Sequence, residues 1–264
     1  MPPLLACHSS PLTPLMKPSS RLRLSRGLFV LPTLFTVGNL FCGYLSIWAS
    51  IRGMFESAAV LVIVAAILDA LDGRIARLTN STSEFGEEYD SLADLVSFGV
   101  APAVLAYSWG LSDFDRVGWI GSFLFVVCGS MRLARFNIQT KVVDKRYFVG
   151  LPIPAGAATI VSLVLATPDR LVSRVWMAGL LVMTVLVSYL MISTIRYRSF
   201  KDLDLRRRRP AWILPLIAAL FVVIALAPKI ALLTVSITFA ASGPVAKLFS
   251  LLRRKPPSPP LPSP

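Results

Sequence analysis

From about residue 31 to residue 252 the sequence is dominated by apolar runs of near-bilayer length, separated by short polar or Pro/Gly-containing breaks. Crossing a hydrocarbon layer about 30 Å thick takes roughly 20 helical residues. In that medium backbone N–H and C=O groups must pair within the chain, so such runs become helices. Eight segments qualify, at approximately 33–51, 57–77, 88–109, 117–132, 153–168, 174–195, 211–227 and 229–250, with 153–168 and 211–227 the shortest. Hydrophobic residues make up 55% of the chain and charged ones 16%, against about 25% charged in soluble domains. The expected fold is all-α, a polytopic transmembrane bundle of about eight helices.

The charges orient this bundle. Lys and Arg number 27 against 14 Asp and Glu, a net charge of +13. With a cytoplasmic N-terminus, 22 of those 27 cations fall in cytoplasmic tails and loops. Only Arg52, Arg116, Arg170, Arg174 and Lys229 fall on the other side. Positive charge concentrates in cytoplasmic loops, so both termini are expected in the cytoplasm. No basic stretch interleaved with aromatics stands on a soluble domain, which argues against nucleic acid as a partner.

The three cysteines, Cys7, Cys42 and Cys128, show neither CxxC spacing nor a pairing pattern, and read as small apolar residues. The only histidine, His8, lies in the Pro/Ser-rich N-terminal tail. Carboxylates are therefore left to carry any metal or acid–base chemistry.

They cluster. Residues 69–94 (DALDGRIARLTNSTSEFGEEYDSLAD) hold seven of the 14 acidic residues. Asp69 and Asp72, at i and i+3, close the second segment, while Asp90 and Asp94, at i and i+4, open the third. Both spacings put a pair on one helical face, and an antiparallel hairpin would bring all four together at the cytoplasmic boundary. Four such anions repel one another and lose hydration. Divalent cations resolve the conflict: carboxylate oxygens suit Mg²⁺ or Mn²⁺, which bridge protein acids to substrate phosphates. Two ions could clamp a pyrophosphate.

The neighbouring residues suit a phosphate substrate. Gly73 and Ala76 leave room beside the acids, Arg77 offers a guanidinium fork, and Gly86 allows close approach of the third helix. Each has a plainer role open to it: helix packing for Gly73 and Ala76, an interfacial anchor for Arg77. Asn39, inside the first apolar segment, needs a hydrogen-bond partner, either a substrate phosphate or a neighbouring helix.

The spacing Asp69-x-x-Asp72-Gly73-x-x-Ala76-Arg77, eight residues, Gly86-x-x-x-Asp90-x-x-x-Asp94 resembles the signature of the CDP-alcohol phosphatidyltransferases. The resemblance implies transfer of a phosphatidyl group from a CDP-linked lipid to an alcohol, with release of CMP. It implies metal ligation by Asp69, Asp72 and Asp90, with Asp94 beside them as the base that deprotonates the alcohol. Gly73 and Arg77 would contact the CDP-lipid, with Ser83 and Asn39 as further candidates, and a homodimer is implied as well. The stretches LPTLFTVGNLFCGYLSI (31–47), SFGVAPA (97–103), RLARFN (132–137) and GLPIPAGA (150–157) resemble the bacterial, serine-transferring members of that family. The donor and acceptor so implied are CDP-diacylglycerol and L-serine, and the location is the bacterial inner membrane with the site facing the cytoplasm.

Arg132, Arg135 and Asn137 follow the fourth segment on the cytoplasmic side and are the candidates for acceptor binding. Arginine suits a serine carboxylate and equally the phosphate of glycerol phosphate or inositol phosphate, and both arginines could also be topology anchors. The expected organisation is an irregular or interfacial segment at 1–30, a catalytic transmembrane core at 31–195, a basic loop with a C-terminal hairpin at 196–252, and a disordered Pro-rich tail at 253–264. A cation transporter is the competing class, disfavoured because transport sites lie near the bilayer midplane; a non-enzymatic assembly factor is the third.

Overall fold

The computed structural model describes residues 22–78, 83–140, 147–198 and 227–252. In order they form α1 (Leu22–Ile51), α2 (Phe55–Leu78), α3 (Glu84–Asp94), α4 (Ala101–Ala106), α5 (Asp115–Thr140), β1 (Tyr147–Val149), α6 (Ile153–Ala166), α7 (Arg174–Ile192), β2 (Arg196–Arg198) and α8 (Pro228–Leu252). Seven of the eight expected apolar segments coincide with helix; the eighth, near 211–227, lies outside the described residues. So do 1–21, the basic loop from 199 onward, and 253–264. α1 begins at Leu22, inside the stretch expected to be disordered or interfacial; 22–30 (LRLSRGLFV) contains no proline to stop the helix.

Among the described residues, four stretches are long and apolar enough to cross a membrane: Thr33–Ile51, Glu84–Ile138, Arg174–Ile192 and Pro228–Lys247, while Ile153–Ala166 is apolar but shorter. α2 has comparable length, 24 residues, but carries Glu56, Asp69, Asp72, Arg74 and Arg77. Large apolar side chains face outward, among them Leu34, Phe41 and Trp48 on α1, Phe123 on α5, and Trp176 and Leu186 on α7. A surface so rich in exposed apolar groups suits lipid rather than water. The chain is a membrane protein.

The interior is built from small residues, which let helix backbones approach closely. α1 and α2 form an antiparallel hairpin through a turn at Gly53, where φ is +75°. Along their seam lie Ala49, Ala58, Ala59 and Ala65, all buried, and the Ser46 hydroxyl donates to the Ala58 carbonyl at 2.8 Å. The third span is not a plain α-helix. α3 passes into a π-helical stretch (Leu95–Val100), α4, a second π-helical stretch (Tyr107–Leu111) and a 3₁₀ turn (Ser112–Phe114). A Cβ at Gly43 of α1 would stand 2.8 Å from the Ser97 Cα, so α1 meets the first π stretch backbone to backbone. There the Ser97 hydroxyl donates to the Asn39 carbonyl at 2.9 Å.

α8 docks on α6 through a Ser162–Ser236 hydroxyl pair 2.8 Å apart. At the end of the bundle where α5 and α7 finish, β1 and β2 pair antiparallel, Phe148 opposite Tyr197. This small sheet is the exception to the all-α expectation: two short extended connections at one end satisfy each other's backbone groups.

Candidate active site

The α2–α3 hairpin does bring acids together, but three rather than four. Carboxylate oxygens of Asp69, Asp90 and Asp94 all lie within 4.8 Å of one another. Asp72 turns toward α1 instead: it is 6% exposed and accepts a hydrogen bond from the Thr36 hydroxyl. Helical geometry accounts for the difference. At about 100° per residue, i and i+4 are offset by about 40°, whereas i and i+3 are offset by about 60°. Asp90 and Asp94 therefore share a direction more closely than Asp69 and Asp72 do. Asp94 Oδ1 in turn accepts a hydrogen bond from Asn39 Nδ2 at 3.2 Å, and Asn39 is wholly buried.

Counter-charge is scarce here. Among the described residues, none of the four aspartates forms an ion pair. Arg132 on α5, itself buried, is near enough to Asp94 to act on it electrostatically, and its guanidinium lies over the Phe136 ring at 5.2 Å. Asp90 Oδ1 and Asn39 Oδ1 are buried with no hydrogen-bond partner. Clustered carboxylates with orphaned oxygens fit a divalent cation, whose hard charge offsets their repulsion and takes up the unused lone pairs. The cluster is able to hold metal.

Beside it the α2 backbone is open. Among the described residues, and apart from the neighbouring backbone of α2 itself, the atoms within 4 Å of where a Gly73 Cβ would stand are the two terminal nitrogens of Arg77, at 3.9 Å. Arg77 itself is exposed, and Ala76 is half-buried. Gly86 does something other than expected. Its Cβ position faces the Ser83 hydroxyl at 3.1 Å rather than α2. The reason is that Ser83 caps α3, its hydroxyl accepting from the Gly86 N–H at 3.0 Å.

The expected acceptor-site residues separate. Arg132 faces the acids. Arg135 donates to the Ile192 carbonyl at 2.9 Å, closing the C-terminal end of α7. The Asn137 amide donates to Ser91 at 3.0 Å and to Glu88 at 3.3 Å, tying α5 to α3. Thus one of the three, Arg132, lies near the cluster, acting on Asp94 through its charge without an ion pair among the described residues.

The stretch that carries this cluster is similar to known proteins. Residues 29–190 match the family model described as CDP-alcohol phosphatidyltransferase. The chain belongs to that family. A CDP-diacylglycerol–serine O-phosphatidyltransferase of Helicobacter pylori (strain ATCC 700392 / 26695) is 44% identical over 179 residues, covering 66% of this chain and 74% of the relative. The protein of the same name from Mycobacterium leprae (strain TN) is 35% identical over 233 residues, 86% of this chain and 77% of the relative. An archaetidylserine synthase of Methanothermobacter thermautotrophicus is 41% identical over 169 residues, 63% of this chain and 69% of the relative.

Two residues beside the cluster escape a reading of the motif alone: Thr36, which holds Asp72, and Ser97, which anchors α1 beside Asn39. Thr36 had a usable signal. It sits three residues before Asn39 in an apolar span, and two buried polar groups one turn apart require partners on a neighbouring helix.

Proposed function

We propose that this chain transfers the phosphatidyl group of CDP-diacylglycerol to L-serine, giving phosphatidylserine and CMP. The observation that carries the reading is the three-aspartate cluster beside an open glycine backbone, in a chain whose relatives carry serine in their names. Those names differ in the lipid, phosphatidyl in bacteria and archaetidyl in the archaeon, which supports serine as the shared acceptor.

The residues divide the work. Asp69 and Asp90, with Asp94 beside them and Asp72 behind, would hold two divalent ions, Mg²⁺ or Mn²⁺. Bound there, such ions supply Lewis-acid stabilisation of the charge that builds on the diphosphate. Arg77 binds the CDP-lipid diphosphate through its guanidinium, and Gly73 lets that group reach the helix backbone. Ser83 serves this site by fixing the start of α3. Arg132 receives the serine carboxylate; Arg135 and Asn137 brace the elements around it. The serine hydroxyl oxygen attacks phosphorus, the bond from phosphorus to the CMP oxygen breaks, and the hydroxyl proton passes to Asp94. A carboxylate of this kind contributes about 10²–10⁴-fold as a general base.

The same proposal takes the chain as an eight-span homodimer with both termini and the acids at the cytoplasmic face of a bacterial inner membrane. Residues 31–195 form the catalytic core and 196–252 a basic loop and terminal hairpin. The acyl chains stay in the bilayer. The deciding experiment supplies membranes containing the protein with CDP-diacylglycerol and L-serine, glycerol phosphate or inositol phosphate in turn, and identifies the lipid product. Phosphatidylserine with equimolar CMP is expected. A product from another alcohol replaces the acceptor assignment, and absence of CMP release removes the transferase reading.

A further inference from the structure

We propose that α1 is the positioning element of the acid site, with Thr36 and Asn39 as the residues that aim its carboxylates. The inference rests on reading the acids as an ion site and adds to it a second tier of residues from outside the α2–α3 signature.

The two residues lie three apart on α1, and both are buried, Thr36 4% exposed and Asn39 0%. Each donates to a carboxylate on a different helix: Thr36 to Asp72 on α2, Asn39 to Asp94 on α3. Packing alone would be served by apolar residues, and burying a hydroxyl and an amide is unfavourable unless both are hydrogen-bonded. A neutral donor suits this task better than a cationic one. It holds one oxygen of a carboxylate while leaving the negative charge undiminished for an ion; a lysine or arginine in the same place would compete with that ion. The Asn39 oxygen, left over once its nitrogen is committed, is buried and unpaired. It adds one more acceptor to the site.

α1 is itself keyed to both acid-bearing helices. Ser46 ties it to α2 through the Ala58 carbonyl. Ser97 ties it to the π stretch that begins one residue after Asp94, through the Asn39 carbonyl, and Gly43 permits that contact. The relative placement of Asp72 and Asp94 is thus referred to one rigid helix. Outer partners of metal-holding carboxylates typically change metal affinity by about 10–100-fold when removed.

The test is equilibrium binding of Mn²⁺ alone to the full chain in lipid nanodiscs, read from the electron paramagnetic resonance signal of free Mn²⁺, with a thermal melt of each variant. Thr36→Val, which keeps shape and loses the donor, is expected to weaken Mn²⁺ binding about tenfold or more. Thr36→Ser, which keeps the donor, stays within about twofold of the parent. Asn39→Leu weakens binding to a similar degree as Thr36→Val. Ser162→Ala loses a buried hydrogen bond of comparable kind between α6 and α8; it is expected to lower the melting temperature and leave Mn²⁺ affinity unchanged. Equal Mn²⁺ affinity in the parent, Thr36→Val and Asn39→Leu overturns the positioning role while leaving the ion site intact. So does a Thr36→Ser variant as weak as Thr36→Val. A parent that does not bind Mn²⁺ overturns the ion site and this inference together. Should Thr36→Val fail to fold, the Asn39→Leu measurement decides alone.

Discussion

The two ends of this helical bundle treat negative charge in opposite ways. At the end where α4 finishes and α2 begins, two of the acids are ion-paired: Asp113 with Arg170 and Glu56 with Lys229, each at 2.7 Å, all of them about half exposed. The same end is fastened by Trp109, whose indole donates to the Asp169 carbonyl at 2.8 Å. At the other end, Asp72 is buried and Asp69, Asp90 and Asp94 are half-buried, none is ion-paired among the described residues, and a buried oxygen of Asp90 has no partner. A fold under pressure only for stability would pair those acids or replace them. Hydrated surface pairs are cheap to keep and worth little, whereas buried like charges without counter-ions oppose folding. The second end therefore carries a cost that a bound divalent cation would relieve.

That contrast can be broken from either side. The largest effect is expected for Asp94→Asn, which keeps shape and removes the proton acceptor: turnover measured as CMP release falls by about 10²–10⁴-fold, a larger loss than that in CDP-lipid binding. Full activity in this variant would sink the base assignment. Next come Asp69→Ala and Asp90→Ala, expected to weaken Mn²⁺-dependent binding of the CDP-lipid by at least the roughly 10–100-fold typical of losing even an outer partner. Metal-independent binding in a titration would remove the ion site and dissolve the contrast between the two ends.

Smaller effects sharpen the contrast. Gly43→Val forces a side chain into the space held by the Ser97 backbone, and overpacking of this kind costs about 1–3 kcal/mol. Because the clash lies beside Asn39, the variant is expected both to melt earlier and to lose turnover. The smallest change is expected at the paired end. Arg170→Ala removes the contact to Asp113, an exposed ion pair worth about 0.2–1 kcal/mol. Its melting temperature moves slightly and CMP release stays at the parent level. A large loss of turnover there would show that the far end shapes the site after all.

Much of the site is legible in the chain before any folding. Seven acidic residues crowd into 26 positions of a sequence otherwise short of charge, and helical spacing alone pairs Asp90 with Asp94. The limits of that logic show at Asp72, where the same reasoning brought four acids together and the fold brings three. Spacing fixes direction about a single helix axis to within tens of degrees. Which neighbour fills that direction depends on the other helices. Gly86 and Ser83 carry the same lesson: both belong to the local cap that starts α3, a structure set by four consecutive residues rather than by the meeting of α2 and α3. Arg135 and Asn137, two of three residues expected at the acceptor, are engaged by α7 and α3 instead.

The sequence by itself determined that this chain is a membrane-embedded helical bundle with a carboxylate site at one end. Hydrophobic length and helical periodicity are local properties, and the exclusion of charge from hydrocarbon is strong enough to be read without coordinates. Only the tertiary structure decided which acids share the site, and that Thr36 and Asn39 of α1 hold Asp72 and Asp94. Those contacts join residues 36 and 55 positions apart. They depend on how small residues let α1 settle against α2 and the π stretch, a matter of packing between helices that no periodicity within one helix encodes.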